Sequence, residues 1–206
     1  MITLYWCPQT RAARAMWMLE ELGVDYDLKI IDIRDEKAKV DSGFLQASPM
    51  GKVPALNDGE AVLADSAAIC LYLADKYPEK ALAPSVDDPL RAQYLYWMVY
   101  VPGVIEPAMA EKFSNIPPNK VSHGWGDFDT MISVLENALD GEDKGPWLLG
   151  DKFSAADVMV GSTANFLRMF NILPDSQIIN DYIDRCLTRP AFERALAKDA
   201  EHALPS

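Results

Sequence analysis

The sequence predicts a small α/β domain with a mixed sheet, followed by an all-α domain. Three observations carry this. Strand and helix patterns alternate over residues 1–77. The segment 78–89 then breaks the pattern with three prolines and little apolar content, as a linker does. From residue 90 to 206 only helical periodicity recurs.

Taking the elements in order, Ile2-Thr3-Leu4-Tyr5 is short and β-prone. After Pro8, residues Ala12, Ala15, Leu19 and Leu22 share one helical face, and Gly23 stops that helix as a left-handed C′ residue. Tyr26, Leu28 and Ile30 alternate as a strand. The charged segment Arg34–Phe44 reads as a loop or a short exposed helix. Residues 55–63 form a hairpin whose Asp58-Gly59 suits a tight primed turn. A helix from about Ser66 to Tyr77 follows, with Ile69, Tyr72 and Leu73 inward and Pro78 at its end. A crossover helix between the first two strands makes them parallel, and the hairpin is antiparallel, so the sheet is mixed. This βαβ-ββα order is that of a thioredoxin-like domain. Beyond the linker, helical patterns run through Leu90–Val101, Asp127–Leu139, Ala155–Met169, Ile178–Leu187 and Ala191–Ala200.

Composition narrows the function. The charge sum of 19 cations against 31 anions is −12, which disfavours nucleic acid and anionic membrane as partners. The longest apolar runs, Ala67–Ala74 and Tyr94–Val101, are far short of the about 20 residues of a membrane span, and read as buried helices. Three scattered cysteines argue against a disulfide framework and fit a reducing compartment. His123 and His202 lie far apart, so no metal site is expected. The start of the chain lacks the pattern of a secretory signal, its first basic residue being Arg11 after Thr3 and Pro8, so the cytoplasm is the expected location. Gly51-Lys52 lacks the flanking residues of a P-loop, and neither a dinucleotide fingerprint nor a nucleophile elbow is present.

Four segments carry chemistry. The loop Tyr5-Trp6-Cys7-Pro8-Gln9-Thr10-Arg11 joins a strand to a helix N-terminus, where backbone N–H groups and the helix dipole favour a thiolate. Two readings stand there: Cys7 is itself the thiolate, or Thr10 donates a hydrogen bond to a ligand's thiolate. Against them stands a plain one, Cys7 as core filler and Thr10 as helix cap. Gly51-Lys52-Val53-Pro54-Ala55 sets a proline at a strand entry. Asp65-Ser66 opens a helix, with the acid favourable at its dipole. In Phe153-Ser154-Ala155-Ala156-Asp157 the serine and the acid three residues on form a capping box, a folding element and not a ligand site.

In order and spacing these segments resemble the cytosolic glutathione transferase family, in its bacterial type with a Ser/Thr-Arg loop. The likeness runs from Ile2 to about Leu196. It rests on Thr10-Arg11-Ala12-Ala13-Arg14, Ser48-Pro49-Met50-Gly51-Lys52-Val53-Pro54, Leu63-Ala64-Asp65-Ser66 and Trp147-Leu148-Leu149-Gly150-Asp151-Lys152-Phe153. The resemblance implies a transferase that activates the glutathione thiolate to attack a hydrophobic electrophile or a peroxide. Glutathione is then a co-substrate, and no cofactor is implied. Pro54 is expected to be cis, with Val53 pairing its backbone with the cysteinyl part, Asp65 and Ser66 holding the γ-glutamyl end, and Lys52 and Arg11 completing the site. Asp65 stands where the family usually has the longer Glu. Counting back from Gly23, the resemblance ranks Thr10 first as the catalytic residue, Cys7 second and Tyr5 third. The alternatives are a Cys7-dependent thiol transferase and a noncatalytic member of the family. Tyr100, Val104, Met109 and Phe113 are the expected lining of a second-substrate pocket, and a homodimer is expected.

Overall fold

The computed structural model describes residues 1–35, 42–59, 61–141 and 144–202. The chain divides into two compact units, one of Met1–Lys80 with Thr188–Ser206 and one of Ala81–Leu187.

The first unit is built on β1 (Ile2–Trp6), α1 (Ala13–Leu22), β2 (Tyr26–Ile30), α2 (Ser42–Ala47), β3 (Ala55–Asn57), β4 (Val62–Ala64) and α3 (Ser66–Lys76). The sheet order is β2-β1-β3-β4, with β1 and β2 parallel and both other pairs antiparallel. The mixed sheet expected from the sequence is therefore present. Alternation along β1 sends Leu4 and Trp6 to one face, both fully buried, and Tyr5 to the other. Gly23 ends α1 in the left-handed region, its N–H returning to the Leu19 carbonyl at 3.0 Å. Of the charged segment 34–44, residues 36–41 lie outside the described residues, and α2 follows.

The hairpin turn lies one residue later than a turn centred on Asp58-Gly59. Asn57 pairs with Val62 and the Asp58 N–H donates to the Ala61 carbonyl at 3.1 Å, Glu60 lying outside the described residues. The reason is Asp58, which is pulled inward. Its carboxylate accepts the Ala61 N–H at 2.8 Å and Lys76 Nζ at 2.6 Å, and also the Tyr72 hydroxyl. Tyr72 accordingly stays half-buried, while Ile69 and Leu73 are fully buried as expected.

A larger difference concerns the end of the chain. The sequence assigned 90–206 to one helical domain, yet α9 (Pro190–Glu201) packs on α1. Two adjacent carboxylates on α1 account for this. Glu20 receives Arg194 Nε at 2.8 Å, Lys198 Nζ at 2.5 Å and the Tyr26 hydroxyl at 2.6 Å. Glu21 receives a two-pronged contact from Arg189 at 2.6 and 2.7 Å. The Phe192 ring meets Trp17 edge-on at 5.0 Å.

The second unit holds α4 (Arg91–Tyr100), a π turn over Val101–Ile105, α5 (Glu106–Ser114), α6 (Phe128–Leu139), α7 (Ala155–Met169) and α8 (Gln177–Leu187). Periodicity did not reveal α5, because Pro102 and Pro107 interrupt its pattern. The structure keeps helical backbone from α4 through the π turn into α5: the turn around Pro102 widens, the Glu106 N–H reaching back five residues to the Val101 carbonyl, and Pro107 follows directly after it. The capping box is present. Asp157 is fully buried and accepts from the Ser154 N–H, the Ser154 hydroxyl, the Leu148 N–H and the Tyr182 hydroxyl at 2.9–3.1 Å. Burial pushes its carboxyl up, and these four donors pull it back. Where α7 meets α8, a methyl on Gly161 would stand 2.6 Å from Cys186 Sγ, so any larger residue there must displace the buried Cys186 side chain. Among the described residues no helix is long and apolar enough to cross a membrane.

Two outcomes follow for stability. Asp157→Ala orphans buried donors and should cost about 3 kcal/mol or more in denaturant unfolding, against about 1–3 kcal/mol for Gly161→Ala. Glu20 gives a pH signature. Burial raises its carboxyl, but the bonds from Lys198, Tyr26 and Arg194 outweigh this and hold it below the usual 4.5. Its contribution is full above pH 4.5 and is lost as pH falls through the lowered folded value. The stability gap between wild type and Glu20→Gln should therefore close on acidification.

Candidate active site

Three loops meet one end of the sheet. Tyr5 pairs with Ala55, and Ala55 with Ala64, so a single row crosses β1, β3 and β4. The chain leaves β1 just past that row, enters β3 just before it and leaves β4 just past it. The segments 7–11, 48–54 and 65–66 therefore sit side by side, although the sequence separates them widely.

The first segment turns into α1. The Thr10 hydroxyl donates to the Cys7 carbonyl at 2.7 Å and accepts the Ala12 N–H at 3.2 Å. Thr10 is half-buried and Arg11 exposed, whereas Cys7 is fully buried. Gln9 has φ 58, uncommon for a residue with a side chain, and its N–H donates to both Asp199 carboxylate oxygens at 3.2 Å. The Tyr5 ring points elsewhere. It belongs to a core cluster with Ile31, Phe44, Ala47 and Ala55 and tilts against Phe44 at 5.7 Å.

The second segment is shaped by Ser48. This fully buried serine donates to the Lys52 carbonyl at 2.7 Å and accepts the Lys52 N–H at 3.0 Å. Gly51, at φ 60, closes the turn with its N–H on the Ser48 carbonyl at 2.8 Å. The Lys52 side chain is exposed, and the Val53-Pro54 peptide is cis. The β3 ladder starts at Ala55, so the Val53 backbone stands outside it.

In the third segment Asp65 has φ 78, and its carboxylate caps α3 by accepting the Ala67 N–H at 2.9 Å and the Ala68 N–H at 3.3 Å. Ser66 is buried at the first position of that helix. Gln9 and Asp65, both lacking glycine's freedom, hold positive φ at this end of the sheet; Ala81, Asn115 and Asn171 do so elsewhere. Such an arrangement offers an extended peptide the Val53 backbone at the entry of β3, with the start of a helix on each side. Cys70 is not part of the chemistry, since burial pushes its thiol up to about 12.

The residues expected to line a second pocket lie in the helical unit and do not share one surface. Tyr100 and Met109 are buried, the Tyr100 hydroxyl reaching the Met131 carbonyl at 3.4 Å. Val104 is half-buried in the π turn. Phe113 is exposed and meets Phe170 edge-on at 5.4 Å. A cavity of about 420 Å³ in this unit is bounded by residues 81–90 and 149–154, away from all four. Sequence reasoning missed two contributors to the site. Ser48 was visible only as part of the quoted motif, and Asp199, 190 residues from Gln9, had no local signal.

Comparison with known proteins agrees with this geometry. Residues 1–75 match the family described as Glutathione S-transferase, N-terminal domain, and residues 92–185 its C-terminal domain. The chain is 29% identical to the Disulfide-bond oxidoreductase YfcG of Escherichia coli, over 96% of this chain and 95% of that one. A glutathione transferase from Methylococcus capsulatus superposes with TM-score 0.82 at 29% identity, covering 98% of this chain and all of its own. A sphingomonad glutathione S-transferase complexed with glutathione shares the fold, with TM-score 0.78 at 24% identity over 96% of this chain and 98% of its own.

Ser48→Ala tests the frame of the second segment. It removes both partners of the Lys52 backbone at once and should cost about 1–3 kcal/mol in urea unfolding.

Proposed function

The chain belongs to the glutathione S-transferase family, and on that premise we propose that it activates the glutathione thiol for attack on an electrophilic small molecule, with Thr10 as the catalytic residue. One observation carries this reading: the Thr10 hydroxyl, the Val53-Pro54 backbone and Asp65-Ser66 all adjoin one row of the sheet. The glutathione-bound relative supports the choice of thiol.

Glutathione enters as a peptide. Its cysteinyl N–H and C=O pair with Val53, in the manner of an added strand. Its γ-glutamyl end lies on Asp65 and Ser66 at the α3 N-terminus. Its glycyl carboxylate faces Lys52, with Arg11 adding positive charge at the same loop. The Thr10 hydroxyl turns from the Cys7 carbonyl to the sulfur and stabilises the thiolate once the thiol proton has passed to solvent. The sulfur lone pair then forms the new carbon–sulfur bond as the leaving group departs with its bonding pair, or, on an activated double bond, as the π pair shifts away and is protonated by solvent. Glutathione is consumed as co-substrate, and the residues named need no cofactor.

The full burial of Cys7 favours Thr10 over a cysteine mechanism, because a mixed disulfide on Cys7 requires the loop to open. A second reading, reduction of disulfide substrates by bound glutathione, has the YfcG likeness behind it. The same Thr10-stabilised thiolate attacks one sulfur of the disulfide, the S–S bond breaks and the other sulfur leaves as a thiolate, and a second glutathione resolves the mixed disulfide to oxidised glutathione. The chain acts as a homodimer. On α4 the residues Leu95, Tyr96 and Val99 are exposed, an apolar stripe that a second copy covers. The cytoplasm suits a chain whose three cysteines are all free thiols.

A hydrogen bond to a charged group is worth about 1.5–3 kcal/mol, so losing it should raise the bound thiol by about one to two pKa units. Thr10→Ala should therefore lower the conjugation rate at neutral pH about ten-fold or more, with glutathione affinity by calorimetry nearly unchanged. Cys7→Ser should leave the conjugation rate and the glutathione affinity intact. Loss of turnover in Cys7→Ser, with a glutathione adduct on Cys7 in mass spectra, would move the protein to the thiol-transferase alternative. Disulfide and carbon electrophiles assayed side by side separate the two Thr10 readings.

A further inference from the structure

The loop that carries Thr10 is held from outside the α/β sequence, by the last turns of α9. Two contacts arrive there. Asp199 takes the Gln9 N–H on both carboxylate oxygens, and the His202 ring meets Trp6 edge-on at 5.6 Å. These contacts bracket Cys7 and Pro8, both buried, and Gln9 is the residue immediately before Thr10.

We propose that Asp199 is a positioning residue of the glutathione site, fixing Gln9 in its left-handed conformation and thereby the place of the Thr10 hydroxyl. The inference rests on the glutathione reading above. A residue with a Cβ leaves the left-handed region readily unless something retains it. At Gln9 the retaining group is an acceptor for its N–H, and the helix bearing that acceptor is itself clamped to α1 through Glu20 and Glu21. Release of the Gln9 N–H frees the rotation that swings Thr10 about the buried Pro8. The hydroxyl then no longer meets a sulfur anchored independently by Val53 and Asp65-Ser66. The Asp199 carboxyl is raised by burial, and the Gln9 N–H is the group that lowers it, consistent with a contact made to the charged form.

The test compares Asp199→Ala, Asp199→Asn and Arg189→Ala with wild type in the full chain. Three quantities are read: kcat, the KM for glutathione, and the ionisation of bound glutathione followed by thiolate absorbance against pH. Asp199→Ala should lower kcat about ten-fold and raise the bound thiol by about one pKa unit, with KM within about two-fold. Asp199→Asn keeps an acceptor oxygen and should restore most of the rate. Arg189→Ala loosens α9 at its other end, and should lower the melting temperature without moving the thiol titration. If wild type binds and turns over glutathione while Asp199→Ala matches it in kcat and thiol titration, this inference alone is overturned. It is overturned equally if Arg189→Ala shifts the titration as much as Asp199→Ala, since the effect is then one of helix docking. A wild type that binds no glutathione overturns the functional reading and this inference with it.

Discussion

Two buried carboxylates on one helix decide more of this molecule than any other pair of side chains. Glu20 and Glu21 sit on α1, nearly closed off from water, and charged groups in that position need partners. Arg189 at the N-cap of α9, and Arg194 and Lys198 on α9 itself, supply the cations. The end of the chain is thus drawn back onto the α/β unit, and α1 is enclosed between the sheet and a second layer. Because α1 begins at the Thr10 loop, the clamp that buries the helix also brings Asp199 to Gln9.

The site itself is mostly backbone. Ser48 shapes the chain before Val53, Asp65 shapes the chain before α3, and Asp199 holds the chain before Thr10. Each is a polar side chain spent on fixing main-chain direction, and each fixed stretch borders the same sheet row. A peptide ligand is recognised largely through its own backbone, so a surface of fixed N–H and C=O groups suits it better than a cage of side chains. In the proposed mechanism, preorganisation of this kind lets one hydroxyl matter, because the backbone places the sulfur for it.

The helical unit follows other rules. Asp157 gathers four donors in the core, so its carboxylate organises the loop before α7 and the α7–α8 contact together. The nearby Gly161 lets the Cys186 side chain reach the α7 backbone. Tyr100 and Met109 were expected as pocket lining but serve as core. An aromatic or apolar residue on an amphipathic helix reads the same in sequence whichever surface it meets.

What the sequence determined by itself was local. The alternation in β1 and β2, the Gly23 stop, the Ser154-Asp157 box and the ordered motifs around Thr10, Val53-Pro54 and Asp65-Ser66 needed only neighbouring residues, because periodicity and caps act within a turn or a strand. The tertiary structure decided what depends on a distant partner. Asp58 was drawn inward by Tyr72 and Lys76, and the tight turn moved one residue along. Helix α5 formed beyond Pro102 because a π turn carries the helical backbone past it. Cys7 went to full burial rather than to the surface. The final helix changed units, and no pattern near Arg189 or Lys198 announces that, since an exposed cation and a cation matched to a buried carboxylate 168 or more residues away have the same local sequence signature.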